Sequence, residues 1–271
     1  MIAVIDYGMG NLRSVQKALE RVGGDARLVR TPQELSGAQK IVFPGVAAFG
    51  DAMEQLRSQK LVEPIIAAVR AGTPYLGFCL GLQLLFEEGT EDGEHKGLGI
   101  LGGRVVKFDF SNRGMGVPPM CSTGVSPVCG EGILPSCAAG VPPASFAVSS
   151  SAAAGQKQKQ QQQDADKMSA THAGGTPASQ AQRLRIPHMG WNQIRWTRNC
   201  PMLRGIEQGA YAYFAHSYYP APTDASIVVT TTDYGLNFCS SVWKDNVFAT
   251  QFHPEKSQAV GLKLLENFVK L

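Results

Sequence analysis

The chain has 271 residues, 44% of them hydrophobic, and its 25 basic and 22 acidic residues give a net charge of +3. This length suits one large or two small globular domains, and so small a charge excess gives no electrostatic basis for binding nucleic acid or a membrane. No apolar run approaches the roughly 18 residues of a membrane span, and six cysteines without a secretory signal predict a cytoplasmic protein with reduced thiols.

The first part of the chain alternates between predicted strands and predicted helices. Short apolar runs bounded by Gly or Pro predict strands at Ile2–Tyr7, Ala26–Val29, Ile41–Phe43 and Tyr75–Phe78. Apolar residues at helical spacing predict a helix after an N-cap at Asn11, one containing Met53 and Leu56, one over Leu61–Val69 and one over Leu80–Phe86. Such alternation is typical of a parallel sheet covered by helices.

The segment Ser111–Gln182 has no hydrophobic periodicity and is rich in Ala, Ser, Gly, Pro and Gln. Four successive eight-residue blocks have Gly first and Pro fourth, and three of them have a cysteine sixth, at Cys121, Cys129 and Cys137. A Pro in every block interrupts a helix or a central strand, and little apolar surface is available to offset the ordering entropy. We therefore predict a long disordered insertion. Because its cysteines lack paired ligand spacing, we predict no metal site.

The elements predicted around the insertion are mostly strands. They are Arg104–Phe108, Tyr211–His216, Ile227–Thr232, Cys239–Trp243 and Val247–Phe252, followed by a last helix that carries Val260, Leu264, Leu265 and Phe268. Without the 72-residue insertion, 199 residues remain, which is the size of one domain. The sequence thus predicts a single domain over residues 1–271, interrupted at about 111–182. Its class is α/β, with a mixed, largely parallel open sheet flanked by helices.

A candidate nucleophile lies where the fourth predicted strand meets a helix. In Gly77-Phe78-Cys79-Leu80-Gly81, small residues two before and two after a cysteine give the nucleophile-elbow pattern. The helix N-terminus behind the turn favours negative charge on the sulfur, and the Leu80 N–H is placed to donate to an oxyanion. Taken alone, the pattern is equally compatible with a small buried structural cysteine.

A candidate general base lies in Gln251-Phe252-His253-Pro254-Glu255. If the strand continues through these residues, His253 and Glu255 share a face, so the carboxylate can orient the imidazole as in a catalytic triad. A random His-x-Glu is more often a solvated pair, but its occurrence with a cysteine elbow favours catalysis. Near the end of the third predicted strand, Pro44-Gly45-Val46 is by itself typical of a simple turn, but beside a nucleophile elbow such a backbone can supply a second oxyanion N–H.

These motifs resemble the class I (triad) glutamine amidotransferases, most closely the glutaminase subunits of imidazole glycerol phosphate synthase. The matching stretches are Asp6–Ser14, Phe43–Val46, Gly77–Gln83, Pro187–Asn192, His216–Tyr219 and Gln251–Ser257. They span both ends of the chain, and the resemblance covers essentially all of it outside the insertion. The cysteine elbow and the His-Pro-Glu stretch are shared by the whole class, whereas residues 6–14 and 187–192 are similar to this subunit in particular.

The resemblance implies a reaction and a set of site residues. Cys79 would attack the side-chain amide of glutamine, releasing ammonia and leaving a glutamyl thioester that water hydrolyses, with His253 as base and then acid and Glu255 orienting it. Val46 and Leu80 would supply the oxyanion N–H groups. Glutamine would be held by Gly45, Gln83, Glu91, His216, Ser217 and Tyr218. No cofactor is implied.

The resemblance also implies a partner. In this family the ammonia passes to a (β/α)8-barrel cyclase subunit, HisF. That subunit converts a phosphoribulosyl aminoimidazole carboxamide ribonucleotide (PRFAR) into imidazole glycerol phosphate and an aminoimidazole carboxamide ribotide (AICAR) in histidine biosynthesis. The expected heterodimer interface includes Pro187, His188, Met189, Trp191, Asn192 and Lys256. Without the resemblance, Trp191 would be interpreted as an ordinary core residue.

Other functions remain open at this stage. The chain could serve another class I amidotransferase, such as anthranilate synthase, or be a non-catalytic interaction protein on the same fold. A cysteine protease is less favoured, because no substrate groove can be derived from the sequence. One residue departs from the family pattern: Ala47 stands where a second Gly is usual. We expect it to restrict the backbone freedom of the Val46 peptide.

Overall fold

The computed structural model describes residues 1–111, 184–196 and 198–271. The predicted insertion, with its repeated cysteines, therefore lies outside the described residues except for Ser111. In the part of the chain that is described, no helix is long and apolar enough to cross a membrane.

The described residues form fourteen strands and six α-helices. The strands are β1 Ile2–Ile5, β2 Ala26–Val29, β3 Lys40–Phe43, β4 Tyr75–Phe78, β5 Phe86–Gly89, β6 His95–Lys96, β7 Leu101–Lys107, β8 His188–Gln193, β9 Arg195–Trp196, β10 Tyr211–His216, β11 Tyr218–Pro222, β12 Val228–Asp233, β13 Asn237–Lys244 and β14 Val247–Thr250. The helices are α1 Leu12–Arg21, α2 Pro32–Leu35, α3 Phe49–Ser58, α4 Val62–Arg70, α5 Leu80–Gln83 and α6 Gln258–Val269. Short 3-10 helices occur at Pro201–Leu203, Ala225–Ile227 and Pro254–Lys256.

The central sheet has eight strands in the order β2-β1-β3-β4-β14-β13-β12-β9. The first five strands are parallel to their neighbours, and the remaining pairs are antiparallel. This confirms the predicted mixed, largely parallel sheet. Strands β8 and β10 form an antiparallel pair, and β11-β7-β5-β6 form a second small sheet.

Two hydrophobic cores cover the two faces of the central sheet. Helices α3 and α4 pack on one face with alternate strand residues such as Ile41 and Phe43. Helices α1 and α6 pack on the other face with intervening residues such as Val42 and Leu76. Because successive strand residues point to opposite faces, strands that are apolar throughout supply both cores. This arrangement confirms the predicted sheet flanked by helices.

Several predicted boundaries were wrong: β1 ends at Ile5 rather than Tyr7, β7 begins at Leu101 rather than Arg104, and β13 begins at Asn237 rather than Cys239. The helix predicted over Leu80–Phe86 ends at Gln83, because Phe86 begins a strand that pairs with Leu101 in β7. The strand predicted over Val247–Phe252 ends at Thr250. Strands β8 and β11 were not predicted at all, since Gly190 interrupts the alternation in one and two prolines lie in the other.

The turn between β4 and α5 depends on a close backbone contact. Gly81 packs against the end of β3, where a Cβ atom added to it would overlap the carbonyl oxygen of Phe43. Gly77 in β4 is equally restricted, because its Cβ would overlap the carbonyl group of Gly81. Both glycines of the elbow pattern are therefore required by packing, since no room exists for a side chain at either position.

We expect Gly81→Ala to lower the free energy of unfolding by at least about 2 kcal/mol, because backbone atoms of β3 must move to accommodate the methyl group. Urea denaturation measures the change. Gly102→Ala is the matched control, because its Cβ would meet nothing closer than the Thr223 side chain at 3.8 Å. Equal stability of the two variants would show that the elbow does not depend on this contact.

Candidate active site

Cys79 lies at the turn between β4 and α5, in a backbone conformation that non-glycine residues seldom adopt. Its φ is +49° and its ψ is −99°. The turn is held in place because the Cys79 N–H donates to the Thr250 carbonyl at the end of β14, with an N–O distance of 2.7 Å. A strained residue of this kind persists only where its surroundings fix it, and such residues concentrate at functional sites. The side chain is 6% exposed.

His253 and Glu255 form a buried pair, with Nδ1 of the imidazole 2.9 Å from Oε1 of the carboxylate. The predicted geometry of this pair was wrong, because the two residues are not on a strand. The chain leaves β14 after Thr250, and Pro254 starts a 3-10 helix that contains Glu255. Proline fixes φ for the first helical turn and has no N–H to extend a ladder. The helical turn still brings the two side chains together.

The opposite nitrogen of the imidazole is directed toward the cysteine. Nε2 of His253 is buried and has no hydrogen-bond partner among the described residues. Burial lowers the pKa of His253, but the negative charge of a Cys79 thiolate and the contact with Glu255 outweigh it and raise the pKa above its ordinary value. The raised pKa makes the His253 imidazole a stronger base for the proton of the neighbouring cysteine.

The sulfur of Cys79 has two further polar neighbours. The side-chain amide nitrogen of Gln251 lies 3.4 Å from Sγ, and the thiol can donate to the Ala215 carbonyl at 3.8 Å. Gln251 is fully buried and directly precedes Phe252 and His253. The sequence analysis did not single it out as a site residue, although it lies in one of the matching stretches.

Both predicted oxyanion donors are near Gly45, since Val46 follows it directly and the Leu80 side chain packs against it. Val46 follows β3 and is 53% exposed, whereas Leu80 is the first residue of α5, so its N–H has no acceptor within the helix. A Cβ added to Gly45 would overlap the hydroxyl of Tyr7 and lie 3.0 Å from Cβ of Leu80. The backbone of Gly45 can therefore occupy this position only without a side chain.

Tyr7 is a second buried residue that the sequence analysis missed. Its hydroxyl has no hydrogen-bond partner of normal geometry among the described residues. Burial raises the pKa of Tyr7 and the charge of Cys79 adds to the rise, while the nearby N–H of Val46 partly opposes it. A neutral tyrosine hydroxyl therefore lies between the predicted oxyanion strand and the cysteine. The signal was available in residues 6–14, where Tyr7 directly follows Asp6.

Several of the predicted glutamine-binding residues already make contacts within the protein. Nε2 of Gln83 donates to the Tyr218 carbonyl at 3.0 Å and to Oε1 of Gln251 at 3.3 Å. Oε2 of Glu91 accepts from the N–H of Phe49 at 2.7 Å and so caps α3. Glu91 also lies near the ring of Tyr218, where burial and this carboxylate raise the tyrosine pKa. The Ser217 carbonyl accepts from the N–H of Phe108.

His216 and His188 form a buried pair rather than an exposed surface. Nδ1 of His188 lies 3.0 Å from Nε2 of His216, and Nδ1 of His216 lies 2.8 Å from the Tyr218 carbonyl. Because a carbonyl only accepts, His216 donates to it, and His188 then donates to His216. Asn192 Nδ2 completes the chain by donating to Nε2 of His188 at 3.3 Å. The chain thus has one consistent donor direction, with both imidazoles neutral.

The predicted docking residues divide into exposed and buried side chains. Pro187 and Lys256 are exposed, as are Met189 (63%) and Trp191 (45%) on β8, whereas His188 is 2% exposed and cannot itself reach a partner. Asn192 is half-buried and also donates to the Asp233 carbonyl.

Tyr213 joins the exposed docking residues to the candidate active site. Trp191 lies opposite Tyr213 on β10, with a ring-centroid distance of 6.0 Å, and Nζ of Lys256 lies 5.5 Å from the same tyrosine ring. The Tyr213 carbonyl accepts from the N–H of His253. This exposed surface is therefore bonded directly to the candidate catalytic histidine.

Metal ligation was not predicted, and in the described ranges no three His, Cys, Asp or Glu side chains are grouped to hold a metal ion. The repeated cysteines that first suggested a metal lie outside those ranges.

The sequence model of the family "glutamine amidotransferase class-I" matches residues 3–271. A relative from Syntrophotalea carbinolica, named imidazole glycerol phosphate synthase subunit HisH, is 43% identical over 268 residues, covering 99% of this chain and 98% of that protein. Relatives of the same name from Aquifex aeolicus and Geobacter sulfurreducens are 41% and 39% identical, covering 98% of this chain and 94% and 97% of theirs. The chain therefore belongs to the class-I glutamine amidotransferases and, within them, to the family of the HisH subunits.

Solved structures with this fold extend beyond those relatives. A crystal structure described as a glutamine amidotransferase superposes with a TM-score of 0.59 at 15% identity, covering 100% of this chain and 99% of that one. PurLQS from Thermotoga maritima gives a TM-score of 0.59 at 17% identity, covering 99% and 97%. At these identities the likeness concerns the fold alone.

We expect the imidazoles of His188 and His216 to remain neutral at pH values where ordinary histidines protonate, near about 6.5. Burial lowers the pKa of His188 to about 4 and that of His216 to about 3. Since the unfolded chain protonates them first, their contribution to the free energy of unfolding is present above about pH 6.5 and decreases as the pH falls toward 4.

NMR titration of the imidazole carbons tests this expectation directly. Protonation of either ring near its ordinary pKa would contradict the donor direction assigned to the chain of hydrogen bonds. His188→Gln identifies the signals, since it removes one imidazole and retains a side-chain donor.

Proposed function

We propose that this protein is the glutaminase subunit of an imidazole glycerol phosphate synthase, and that it hydrolyses glutamine to glutamate and ammonia at Cys79. The observation that carries the proposal is the strained Cys79 turn beside a buried imidazole whose other nitrogen contacts a carboxylate at 2.9 Å. The 43% identical relative named HisH supports the choice of synthase over the other class I amidotransferases.

The first chemical step is attack on the glutamine side-chain amide. Nε2 of His253 takes the thiol proton of Cys79, and the thiolate forms a bond to the amide carbon. The resulting oxyanion is stabilised by the N–H of Leu80 and by that of Val46. His253 then protonates the departing nitrogen, so ammonia leaves and a glutamyl thioester remains on the sulfur.

The second step is hydrolysis. His253 removes a proton from water, the hydroxide adds to the thioester carbon, and glutamate leaves as the sulfur regains the proton. Glu255 keeps the imidazole in one orientation and stabilises its charged form throughout. Glutamine is held near Gly45, Gln83, Glu91, Ser217 and Tyr218. His216 acts through its bond to the Tyr218 carbonyl, because its side chain is buried and both of its ring nitrogens are already hydrogen-bonded within the protein.

The ammonia is delivered to a partner of the HisF type, a (β/α)8-barrel cyclase that converts PRFAR to imidazole glycerol phosphate and AICAR. The exposed side chains of Met189, Trp191 and Lys256, together with Pro187, form the proposed docking surface. Exposed Trp and Met are typical of interface cores. The hydrogen bond from the N–H of His253 to the carbonyl of Tyr213, whose ring lies against Trp191 and Lys256, supports a docking surface close to the reacting atoms.

We also propose that residues 1–271 form one amidotransferase domain, into which the segment of about 111–182 is inserted. Strand β7 precedes the insertion and pairs with β11, which follows it, and one core contains Phe108 together with Ile194 and Phe214, so chain on both sides of the insertion contributes to the same small sheet and core. Loop-closure entropy grows only logarithmically with length, so such a segment costs little stability.

We expect glutamate release from glutamine to be strongly stimulated when a HisF cyclase and a PRFAR-type ligand are added. Cys79→Ala is expected to abolish it, because no other nucleophile can form the thioester. Glu255→Gln is expected to reduce kcat by roughly 100-fold or more, because the imidazole loses its orienting carboxylate. The measurement is a coupled glutamate assay at saturating glutamine.

Cys200→Ala is the matched control for this assay, since Cys200 is another buried cysteine of the described region and packs in the core containing Met202 and Leu203. Glutamate release by Cys79→Ala at the rate of the unmodified protein would contradict the proposal. Full activation by the synthase subunit of anthranilate synthase, with no activation by the cyclase, would favour the alternative hypothesis that the chain serves that amidotransferase.

We expect Trp191→Ala to weaken binding to the cyclase by roughly tenfold or more, because truncating an aromatic residue near the centre of an interface typically costs over 1 kcal/mol. Isothermal titration calorimetry measures the affinity. Leu28→Ala is the control, since Leu28 is also partly exposed (37%) but lies on the edge strand β2.

Equal loss of affinity in the two variants would argue against the proposed docking surface. In the same measurement, deletion of Ser111–Gln182 is expected to leave the affinity little changed. A large gain in affinity would mean that the inserted segment obstructs docking.

A further inference from the structure

Gln251 occupies a position that the proposed reaction has not yet used. It directly follows β14, is fully buried, and is anchored by its own N–H, which donates to the Ser240 carbonyl at 2.8 Å. Its side-chain amide nitrogen lies 3.4 Å from the sulfur of Cys79. Because the amide is uncharged, its effect on the sulfur depends on whether its NH2 group or its oxygen faces Cys79.

The orientation of the Gln251 amide is fixed by the backbone carbonyl of Tyr218, to which it is linked through the side chain of Gln83. The Tyr218 carbonyl can only accept, so the amide group of Gln83 must present its nitrogen to it, at 3.0 Å. The same nitrogen lies 3.3 Å from the Gln251 amide, which must therefore present its oxygen to Gln83. The remaining group of Gln251, its NH2, is thereby directed at Cys79.

The Tyr218 carbonyl is itself fixed by a second hydrogen bond. Nδ1 of His216 also donates to it, at 2.8 Å, and His216 is buried in an aromatic cluster that includes Phe108 and Phe238. Rotation of the Gln251 amide would bring its NH2 group against that of Gln83, turn its oxygen toward the Cys79 sulfur, and leave buried N–H groups unpaired. Such a change is costly in a buried site, so the orientation is unique.

The N–H of Gln251 distinguishes the two protonation states of the sulfur. A thiol can donate its proton to the Ala215 carbonyl, 3.8 Å from Sγ, whereas a thiolate cannot donate and gains from a donor. A hydrogen bond to the charged form of a group favours that form. The contact therefore favours the thiolate, the state in which Cys79 attacks.

We propose that Gln251 is a further catalytic residue, whose amide N–H contacts the Cys79 sulfur, stabilises its thiolate and directs it beside His253. This inference rests on the proposed function, because it assigns Gln251 a role in the same reaction. The order of donors is Gln83 to Gln251 and Gln251 to Cys79.

The test is the rate at which iodoacetamide alkylates Cys79, followed by mass spectrometry of the peptide containing it, across the pH range in which thiols ionise. The reagent reacts with the thiolate, so the pH profile reports the state of the sulfur without requiring glutamine turnover. The variant is Gln251→Met, which keeps the length of the side chain but has no N–H donor.

We expect the midpoint of the profile to move upward by about one pH unit in Gln251→Met, with a fall of several-fold to roughly tenfold in the rate at neutral pH. Gln16→Met is the matched control, because Gln16 also donates its amide N–H, to the Ala26 carbonyl at 3.1 Å, but lies on α1. Its profile should coincide with that of the unmodified protein.

A second variant covers the case in which Gln251→Met does not fold. Gln251→Glu keeps the acceptor for Gln83 and replaces the N–H donor by an oxygen, so the shift should have the same sign and be larger. An unchanged profile in either folded variant would overturn the inference.

A further arm separates this inference from the proposed function. If His253→Ala also leaves the Cys79 profile unchanged, the catalytic pair itself is absent and the proposed function fails. If His253→Ala moves the profile and the Gln251 variants do not, only the role of Gln251 is overturned.

Discussion

The close approach of Gly81 to the end of β3 is the constraint on which the candidate site depends. It allows β4 to turn sharply at Cys79 and to enter α5 without lifting away from the sheet, which leaves the cysteine in a conformation with positive φ. Gly77, in β4, is also needed for this turn, because a side chain there would overlap the carbonyl group of Gly81. A side chain at Gly81 would force β3 and α5 apart, and one at Gly77 would force β4 and α5 apart, so either change would displace the turn that carries Cys79.

The site then follows from the order of the sheet. Strands β3, β4 and β14 are adjacent and parallel, so their carboxyl ends lie together. Gly45 and Val46 follow the first, Cys79 follows the second, and Gln251 and His253 follow the third. Open α/β sheets place their ligands at this edge, because loops from several strands meet there. The antiparallel pair β8–β10 adds the exposed tryptophan surface through the Tyr213–His253 bond.

Much of this could be predicted from local patterns. The apolar runs of the parallel strands identified the sheet, and the elbow and the His-Pro-Glu stretch identified Cys79, His253 and Glu255 as candidates, because each motif carries its own spacing. The element carrying His253 and Glu255 was predicted incorrectly, since Pro254 replaces strand geometry by a 3-10 turn. The predicted contact between His253 and Glu255 is nevertheless present, because the 3-10 turn also brings the carboxylate to the imidazole.

Features that depend on distant parts of the chain could not be predicted. Strand β11 contains Pro220 and Pro222, which only an edge strand tolerates, and its edge position follows from pairing with β7 alone. His188 is surrounded by aromatic rings that are distant from it in the sequence, those of Phe108, Phe214, Tyr234 and Phe238. The direction of the Gln251 amide is set by a carbonyl at Tyr218, which no spacing in the sequence reveals.

The central claim is that Cys79 forms a covalent intermediate with glutamine, and acid quenching during turnover tests it most directly. The protein is mixed with a HisF cyclase, a PRFAR-type ligand and glutamine, quenched, digested and analysed by mass spectrometry. The account predicts that a glutamyl group is found as a thioester on the Cys79 peptide and is lost when hydroxylamine is added. Glutamate production with this peptide unmodified at every quench time, or with the glutamyl group on another residue, would contradict it.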